Sequence, residues 1–441
     1  MKKNIIILIG AVLAAVVVMG FKPLGTKPAT AIVKNEIVLH QEKGKYMQVR
    51  HIVLKGSNEE IGRALGEIAL QDYKARLIKY ASPIYAKARI AYMSTNYPIL
   101  LERMKGVAKA FELDLNNTDY DTSNLYYCEA SPQCAAIFFP MSVSRNGHNF
   151  YTCNRDYYLA SMSQVMGGKL KFGEPDMLER MIVLEMYPDK GYPSLGIGAL
   201  DLMNMQIDIV NSQGLSIVSL EDDTFGMERT FKDLSRASGL HLYQATRLIA
   251  DTCSTLDEAK EALLNNKISL SLMPAHFMVM DTSGNSFIYE KSKDNFADII
   301  IDSKKGEPVV ITNHSIYEYP TVNKFPESAK DDYDTFNRYR RLDKFVKGHK
   351  GKYSIADGEE AMSLAYGRVD EASEGGHHDL PLRTLYTAAV DLDERSISVR
   401  FYQRDKKSDR PDGLTDLVFS KPLTFKLQKV KCASGMPNPV W

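Results

Sequence analysis

Cys134 opens a short apolar run, Cys134-Ala135-Ala136-Ile137-Phe138-Phe139. A second strand-like run ends in Cys153-Asn154-Arg155-Asp156, and Ser144-Arg145-Asn146-Gly147-His148-Asn149 lies between them. Asn-Gly between two apolar runs is the strongest short-range hairpin signal. Folding about Asn146-Gly147 brings Cys134 within a few residues of Asn154 and Asp156: a thiol, an amide and a carboxylate at one end of a hairpin. A cut between Gln133 and Cys134 would add a free α-amine. With reference pKa values of about 7.7–8 for the amine and about 8.5 for the thiol, the amine can take the thiol proton near neutral pH. Asn313 follows the apolar run Val309-Val310-Ile311 and is expected at a strand end. Arg383 precedes the last strand pair, where it can meet a substrate carboxylate. Each has a plainer reading: Cys134 as a small buried apolar residue, Asp156 as a solvated turn carboxylate, Asn313 as a cap, Arg383 as a solvated charge. For Asn154, a structural bond across the hairpin stands beside a catalytic one.

The elements that must position these groups change in character at Cys134. Before it the chain reads as extended over 32–55, then helical. Ser57 or Asn58 caps a helix that runs through Gly66 towards Tyr80, with acids in its first turn, and further helices are expected over 83–94 and 97–112. After it, strands are expected at 134–140, 149–153, 180–186, 205–211, 214–220, 276–281, 286–290, 384–391 and 396–402. Helical patterns lie at 240–265, with a break and cap near Thr252 and Ser254, and at 333–347 and 356–366. Hairpins with helices gathered between them argue an α+β fold, layers stacked around one core.

The chain has 441 residues, zero formal charge and no long basic run, which leaves nucleic-acid binding little support. Met1-Lys2-Lys3 and the apolar stretch from Ile5 to Phe21 read as a secretory signal, with Ala29-Thr30-Ala31 as an A-x-A site. The competing reading is an uncleaved anchor, the one route to a membrane. A secreted or periplasmic location is expected. Five cysteines, an odd number, leave at least one free thiol in an exported protein. His377-His378-Asp379 is a poor metal site, because adjacent histidines on an extended chain point opposite ways.

The motifs together resemble N-terminal-nucleophile (Ntn) hydrolases of the acyl-coenzyme A:isopenicillin N acyltransferase type, relatives of choloylglycine hydrolases, penicillin V acylase and acid ceramidase. Leu54-Lys55-Gly56-Ser57 with Glu60-Ile61-Gly62-Arg63-Ala64-Leu65-Gly66 is similar to the family's opening strand and helix. Cys134 falls at its nucleophile, and Asn154 and Asp156 at its N-x-D step. Val210-Asn211-Ser212-Gln213-Gly214-Leu215 matches its N-x-x-G-L turn and Asp281-Thr282-Ser283-Gly284 its D-x-x-G turn. Thr312-Asn313-His314 matches its T-N-H step, and Thr384-Leu385-Tyr386 through Leu392 its closing hairpin. Three positions depart: Cys153 stands where the bile-salt branch has arginine, Glu221 where that branch has asparagine, and Gln133 where the acyltransferase branch has glycine.

The resemblance implies an αββα sandwich built from residues 32–133, a mostly helical α-chain, and 134–441, a β-chain, in one globule after a 1–31 signal or anchor. It implies self-cleavage after Gln133 into a two-chain heterodimer. Cys134 then attacks a small-molecule N-acyl amide through a thioester, Asp156 orients the α-amine or thiol, and Asn313 donates its amide to the oxyanion. No metal or organic cofactor is implied. Hydrolysis is expected ahead of acyl transfer, since water is abundant outside the cytoplasm. An unprocessed, non-catalytic binding protein on the same scaffold is the alternative, and a thiol protease using His148 or His314 a third reading.

Overall fold

The computed structural model describes residues 31–127, 133–165, 169, 171, 174–226, 234–270, 274–326, 334–370, 380–408, 410 and 413–428. Residues 1–30, His377-His378-Asp379, Cys128 and Cys432 lie outside them. Among the described residues no helix is long and apolar enough to cross a membrane.

Two sheets stack face to face. The main-sheet strands in chain order are β1 (Ile32–Leu39), β2 (Gln48–Gly56), β3 (Gln133–Phe139), β4 (Phe150–Tyr158), β5 (Arg180–Pro188), β6 (Ser194–Gly198), β7 (Gln206–Asn211) and β8 (Ser216–Glu221). They continue as β9 (Ala275–Met280), β10 (Ser286–Lys291), β11 (Asp298–Asp302), β12 (Val309–Ile311), β13 (Leu382–Asp391), β14 (Ser396–Lys406) and β15 (Asp416–Phe419). The first sheet has nine strands in the order β1-β2-β5-β6-β7-β8-β9-β10-β11. The second runs β12-β3-β4-β13-β14-β15, with Arg368–Val369 and Leu423–Lys426 as side strands. The β2–β5 pair is parallel, and the remaining neighbours in these two sheets are antiparallel.

Helices cover both outer faces. They are α1 (Asn58–Ile68), α2 (Pro83–Asn96), α3 (Pro98–Ala110), α4 (Leu242–Thr252), α5 (Leu256–Leu264), α6 (Thr335–Gly348) and α7 (Ile355–Ser363). One apolar core joins α1, α3, α4 and α5 to the first sheet, a second fills the space between the sheets, and a third lies between the second sheet and α6 and α7. The architecture is therefore α+β, an αββα sandwich. β3 shows how the layers are read from sequence. Its residues alternate between two buried faces, Cys134, Ala136 and Phe138 entering the inter-sheet core and Ala135, Ile137 and Phe139 the core under α6 and α7. A strand buried on both faces needs a continuous apolar run, which is what this segment has.

Local signals hold at most boundaries. Ser57 caps α1 in a reciprocal box with Glu60, and Ile61, Ala64, Leu65 and Ile68 form its buried stripe. The helix ends short of Tyr80, because the chain passes through a π turn to Lys74 in the left-handed region at φ 53°. Thr255 caps α5 in a box with Glu258, which splits the 240–265 pattern into two helices. The extended 32–55 segment is two strands, and β6 and β11 lacked a distinct signal. The Asn211 amide of the N-x-x-G-L turn donates to the Cys253 carbonyl at 2.8 Å, tying the β7–β8 turn to the end of α4.

Helices α1 and α3 touch backbone to backbone through two glycines. A Cβ on Gly62 would lie 2.1 Å from the Arg103 carbonyl oxygen, and one on Gly106 would lie 2.0 Å from that of Glu59. Gly106→Ala must push the helices apart, and an overpacking loss of about 1–3 kcal/mol is expected. Urea unfolding of the variant beside wild type measures it; an unchanged midpoint would show that the contact is looser than these distances.

Candidate active site

The β3–β4 register is direct: Gln133↔Asp156, Cys134↔Arg155, Ala135↔Asn154, Ala136↔Cys153. On the other side β12 pairs Ile311 with Ala136. Continued by two residues, that ladder sets Asn313 beside Cys134. The Cys134 backbone N–H donates to Asn313 Oδ1 at 2.7 Å, and Asn313 Nδ2 donates to the Glu221 carbonyl at the end of β8 at 2.8 Å. Arg338 Nη2 also donates to Oδ1, at 3.0 Å, so two donors on one side and a carbonyl on the other fix the orientation of this amide. Its oxygen grips the nitrogen of the Gln133–Cys134 peptide, and one of its two amide hydrogens bonds the first sheet. The expectation assigned that amide to an oxyanion alone.

Asp156 faces away from the thiol, since it pairs with Gln133. It is fully buried and accepts from Thr384 Oγ1 at 2.5 Å. Asn154 shares that face and donates to the Met362 carbonyl of α7 at 2.8 Å, so its bond runs to a helix rather than across the hairpin. Arg383 departs from expectation. Its Nε and Nη2 engage both oxygens of Asp405 at 2.8 Å, Nη2 also bonds Asp370, and Nη1 donates to the Val369 and Leu382 carbonyls. All five of its N–H donors are thereby used, and it is 2% exposed. It fastens strand ends and has no donor left for a substrate.

Two residues escaped sequence reasoning. Arg155 lies opposite Cys134 and shares its face, with Nη2 3.0 Å from Asp208 of β7 in the other sheet. The same carboxylate takes the Tyr151 hydroxyl at 3.2 Å, the Cys153 thiol at 3.2 Å and the Tyr386 hydroxyl at 2.5 Å. Strand alternation alone puts Arg155 on the face of Cys153 and Cys134 once the hairpin is accepted; its partner Asp208, far off in sequence, left no such signal. Arg338 is the second, brought in by α6.

Burial pushes the Cys134 thiol up to about 12; Arg155 pulls against this and Asp156 adds to it. The thiol is therefore protonated at neutral pH in the uncut chain and needs a proton acceptor to react. His314 does not supply one. Burial, with the neighbouring His276, holds it down at about 3, and it is packed among the rings of Phe325, Phe336 and Tyr339. His148 pairs with Asp391 at the far end of the hairpin. Among the described residues no three His, Cys, Asp or Glu side chains gather as a metal site.

A buried pair braces the loop carrying Asn313. His276 donates Nε2–H to the Thr312 carbonyl at 2.8 Å and sets Nδ1 3.0 Å from Glu290. Glu290 also accepts the Ser315 hydroxyl at 2.7 Å and the Ile316 N–H at 2.7 Å.

A cysteine at the head of an inner strand, in an αββα sandwich, is the arrangement of Ntn hydrolases. A model of the acyl-coenzyme A:6-aminopenicillanic acid acyl-transferase family matches residues 173–406, and the chain belongs to that family. The matched span begins after Asp156, so Cys134 and Asp156 are placed by strand register. The chain is also similar to a mutant of conjugated bile acid hydrolase from Clostridium perfringens, at 15% identity over 67% of this chain and 97% of that one, TM-score 0.43. It is similar to penicillin V acylase from Agrobacterium tumefaciens at 13% identity over 61% and 83%, TM-score 0.40. None of the curated proteins matches it.

Burial alone would lower the His276 pKa, but the bonded Glu290 carboxylate outweighs it and holds the imidazole above its ordinary value. Glu290 is held below its own, against burial, chiefly by His276. The raised His276 contributes stability that is complete below the unfolded imidazole pKa and lost as pH rises through the folded value. The lowered Glu290 contributes stability that is present above the unfolded carboxylate pKa and lost as pH falls through the folded one. The stability gap between wild type and His276→Gln should be widest between about pH 4.3 and about pH 6.5 and narrow on both sides. Urea midpoints across pH give the gap; a pH-independent gap would refute the ion pair.

Proposed function

We propose that this protein is an exported, self-processing Ntn amidohydrolase. Cys134 Sγ attacks the Gln133 carbonyl carbon, and the thiol proton passes to the departing nitrogen, which becomes the Cys134 α-amine. Water then hydrolyses the thioester, leaving a carboxylate on Gln133 and a free thiol on Cys134. In turnover the α-amine takes the thiol proton, directly or through a water, and the thiolate attacks a small-molecule N-acyl amide. The amine protonates the leaving nitrogen, and water resolves the acyl-thioester. Asp156 and Asn313 Oδ1 hold the amine, and the second Nδ2 hydrogen of Asn313 serves the oxyanion. The basic start and apolar 5–21 stretch support export, and an uncleaved segment would tether the enzyme to a membrane.

The observation that carries this reading is the flanking of one peptide nitrogen. Cys134 N lies 2.7 Å from Asn313 Oδ1 on one side, and the β4 register sets Asp156 against Gln133 on the other. Acyl transfer is a second reading, favoured by the acyl-transferase that names the family. It uses the same thioester with an amine in place of water.

Intact-mass spectrometry and N-terminal sequencing test the first step. Wild type should give two chains, the larger beginning at Cys134, and Cys134→Ala one chain. A wild type that stays whole would leave the non-catalytic scaffold as the better account. On a cleaved amide, Asn313→Ala should lower kcat about 10²–10³-fold, as loss of an oxyanion donor does; an effect on KM alone would remove that role. Added amine acceptors separate hydrolase from transferase by the product formed.

A further inference from the structure

On the solvent side of α6 lies a groove of about 450 Å³, lined by Arg341, Lys344, Phe345, Gly348, His349 and Leu364. Arg341, Lys344, Phe345 and Gly348 stand at i, i+3, i+4 and i+7, the spacing of one helix stripe. Phe345 packs half-buried against the third core, which lies between the groove and β3. A Cβ on Gly348 would meet nothing within 4 Å, so this end of the groove is open. Leu364, just after α7, is 42% exposed although it is apolar. The His349 ring stacks on Tyr353 at 4.3 Å and lies 5.9 Å from Phe345. Its Nε2 is buried and has no hydrogen-bond partner among the described residues, a polar group that the protein alone does not satisfy.

The lining is positive, and no carboxylate belongs to it. Lys347 is taken by Asp343 at 2.7 Å. Lys344, Lys350 and Lys352 are exposed and form no ion pair among the described residues. The C-terminal ends of α6 and α7 both reach the groove, and a helix end of this kind carries about half a negative charge. One lysine would answer both. Arg341 and Lys344 in the groove, with Lys350 and Lys352 just beyond it, exceed that need on a chain whose formal charge is zero.

We propose that this groove binds one long-chain carboxylate, its head at Arg341 and Lys344 and its chain along Phe345 and Leu364. The volume falls within the range of small-ligand sites, about 300–1,000 Å³. Two cations without a carboxylate between them call for an anionic head, and charge-assisted bonds to a carboxylate are the strong ones. A half-buried ring and an exposed leucine in the same concavity call for an apolar chain, whose burial removes both surfaces from water. A bilayer would need apolar side chains that protrude, whereas Phe345 is seated on the third core. The groove is separate from Cys134, so the proposal does not rest on the chemistry assigned there.

Isothermal titration calorimetry of the purified protein with dodecanoate, kept below its micelle concentration, tests this. Wild type should bind one dodecanoate per chain. Butyrate, shorter by eight methylenes, should bind about 10²-fold more weakly or worse. K344E reverses a charge at the head, and G348L fills the open end while leaving every cation in place. Each should weaken dodecanoate about tenfold, and either serves if the other does not fold. No saturable binding by wild type overturns the proposal. So does binding that neither variant changes, which would place the carboxylate elsewhere, the Cys134 cleft included. Phosphatidylglycerol vesicles that sediment the protein while monomeric dodecanoate does not bind would overturn it in favour of a membrane surface.

Discussion

A single buried carboxylate ties the two sheets together beneath Cys134. Asp208 projects from the first sheet into the inter-sheet core and meets Arg155, Tyr151, Cys153 and Tyr386, all from the second. A charge in that position is tolerable only with a partner and a full set of hydrogen bonds, because isolated desolvation costs several kcal/mol per ion. Slipping β4 by one residue would turn Arg155 out of the core and leave Asp208 without its cation. The pair therefore makes one register of the hairpin far better than its neighbours, and that register decides which residues stand beside Cys134.

The rest of the site is built outward from this fixed hairpin. β12 lies along the free side of β3, and Asn313 at its end bonds Cys134, the Glu221 carbonyl and, through its own carbonyl, the Asp223 N–H. One asparagine thus connects the strand of Cys134 to the other sheet. His276 and Glu290 hold the backbone on both sides of it, and α6 is docked onto Thr312, Asn313 and His314. Such a loop has little freedom, which suits preorganised electrostatics: donors already in place need no reorganisation when charge develops.

The local parts of this design were legible in the sequence. Asn146-Gly147 between apolar runs gave the hairpin, and the apolar run 134–139 gave a strand, which the fold buries on both faces. Ser57 with acids in the following turn marked a helix start, whereas the second cap was expected near Thr252 and Ser254 and is Thr255 with Glu258. Non-local parts were not legible. Arg383 read as a lone arginine because Asp405 and Asp370 belong to other segments, and only the fold unites them. Arg338 sat in a helix whose pattern said nothing of where its first turn docks. Arg155 was within reach, since strand period alone assigns it to the face of Cys134, but the N-x-D step leaves its middle residue unspecified.

Alternation also sets the two charged residues of β4 on opposite faces about Cys134. Successive side chains on a strand point to opposite faces. Arg155 and the Cys134 thiol face the inter-sheet core, while Asp156 faces the other way, towards Thr384. The Cys134 nitrogen lies in the plane of the sheet between them, bonded edgewise to Asn313. The cation therefore acts on the sulfur from its own face, and the carboxylate from the opposite one. Reversing the order of Arg155 and Asp156 would place the carboxylate against the sulfur, and a thiol already raised to about 12 would be harder still to ionise. In the proposed reaction, the order of these two adjacent residues on β4, rather than their presence, is what sets a cation and not a carboxylate on the face of the attacking sulfur.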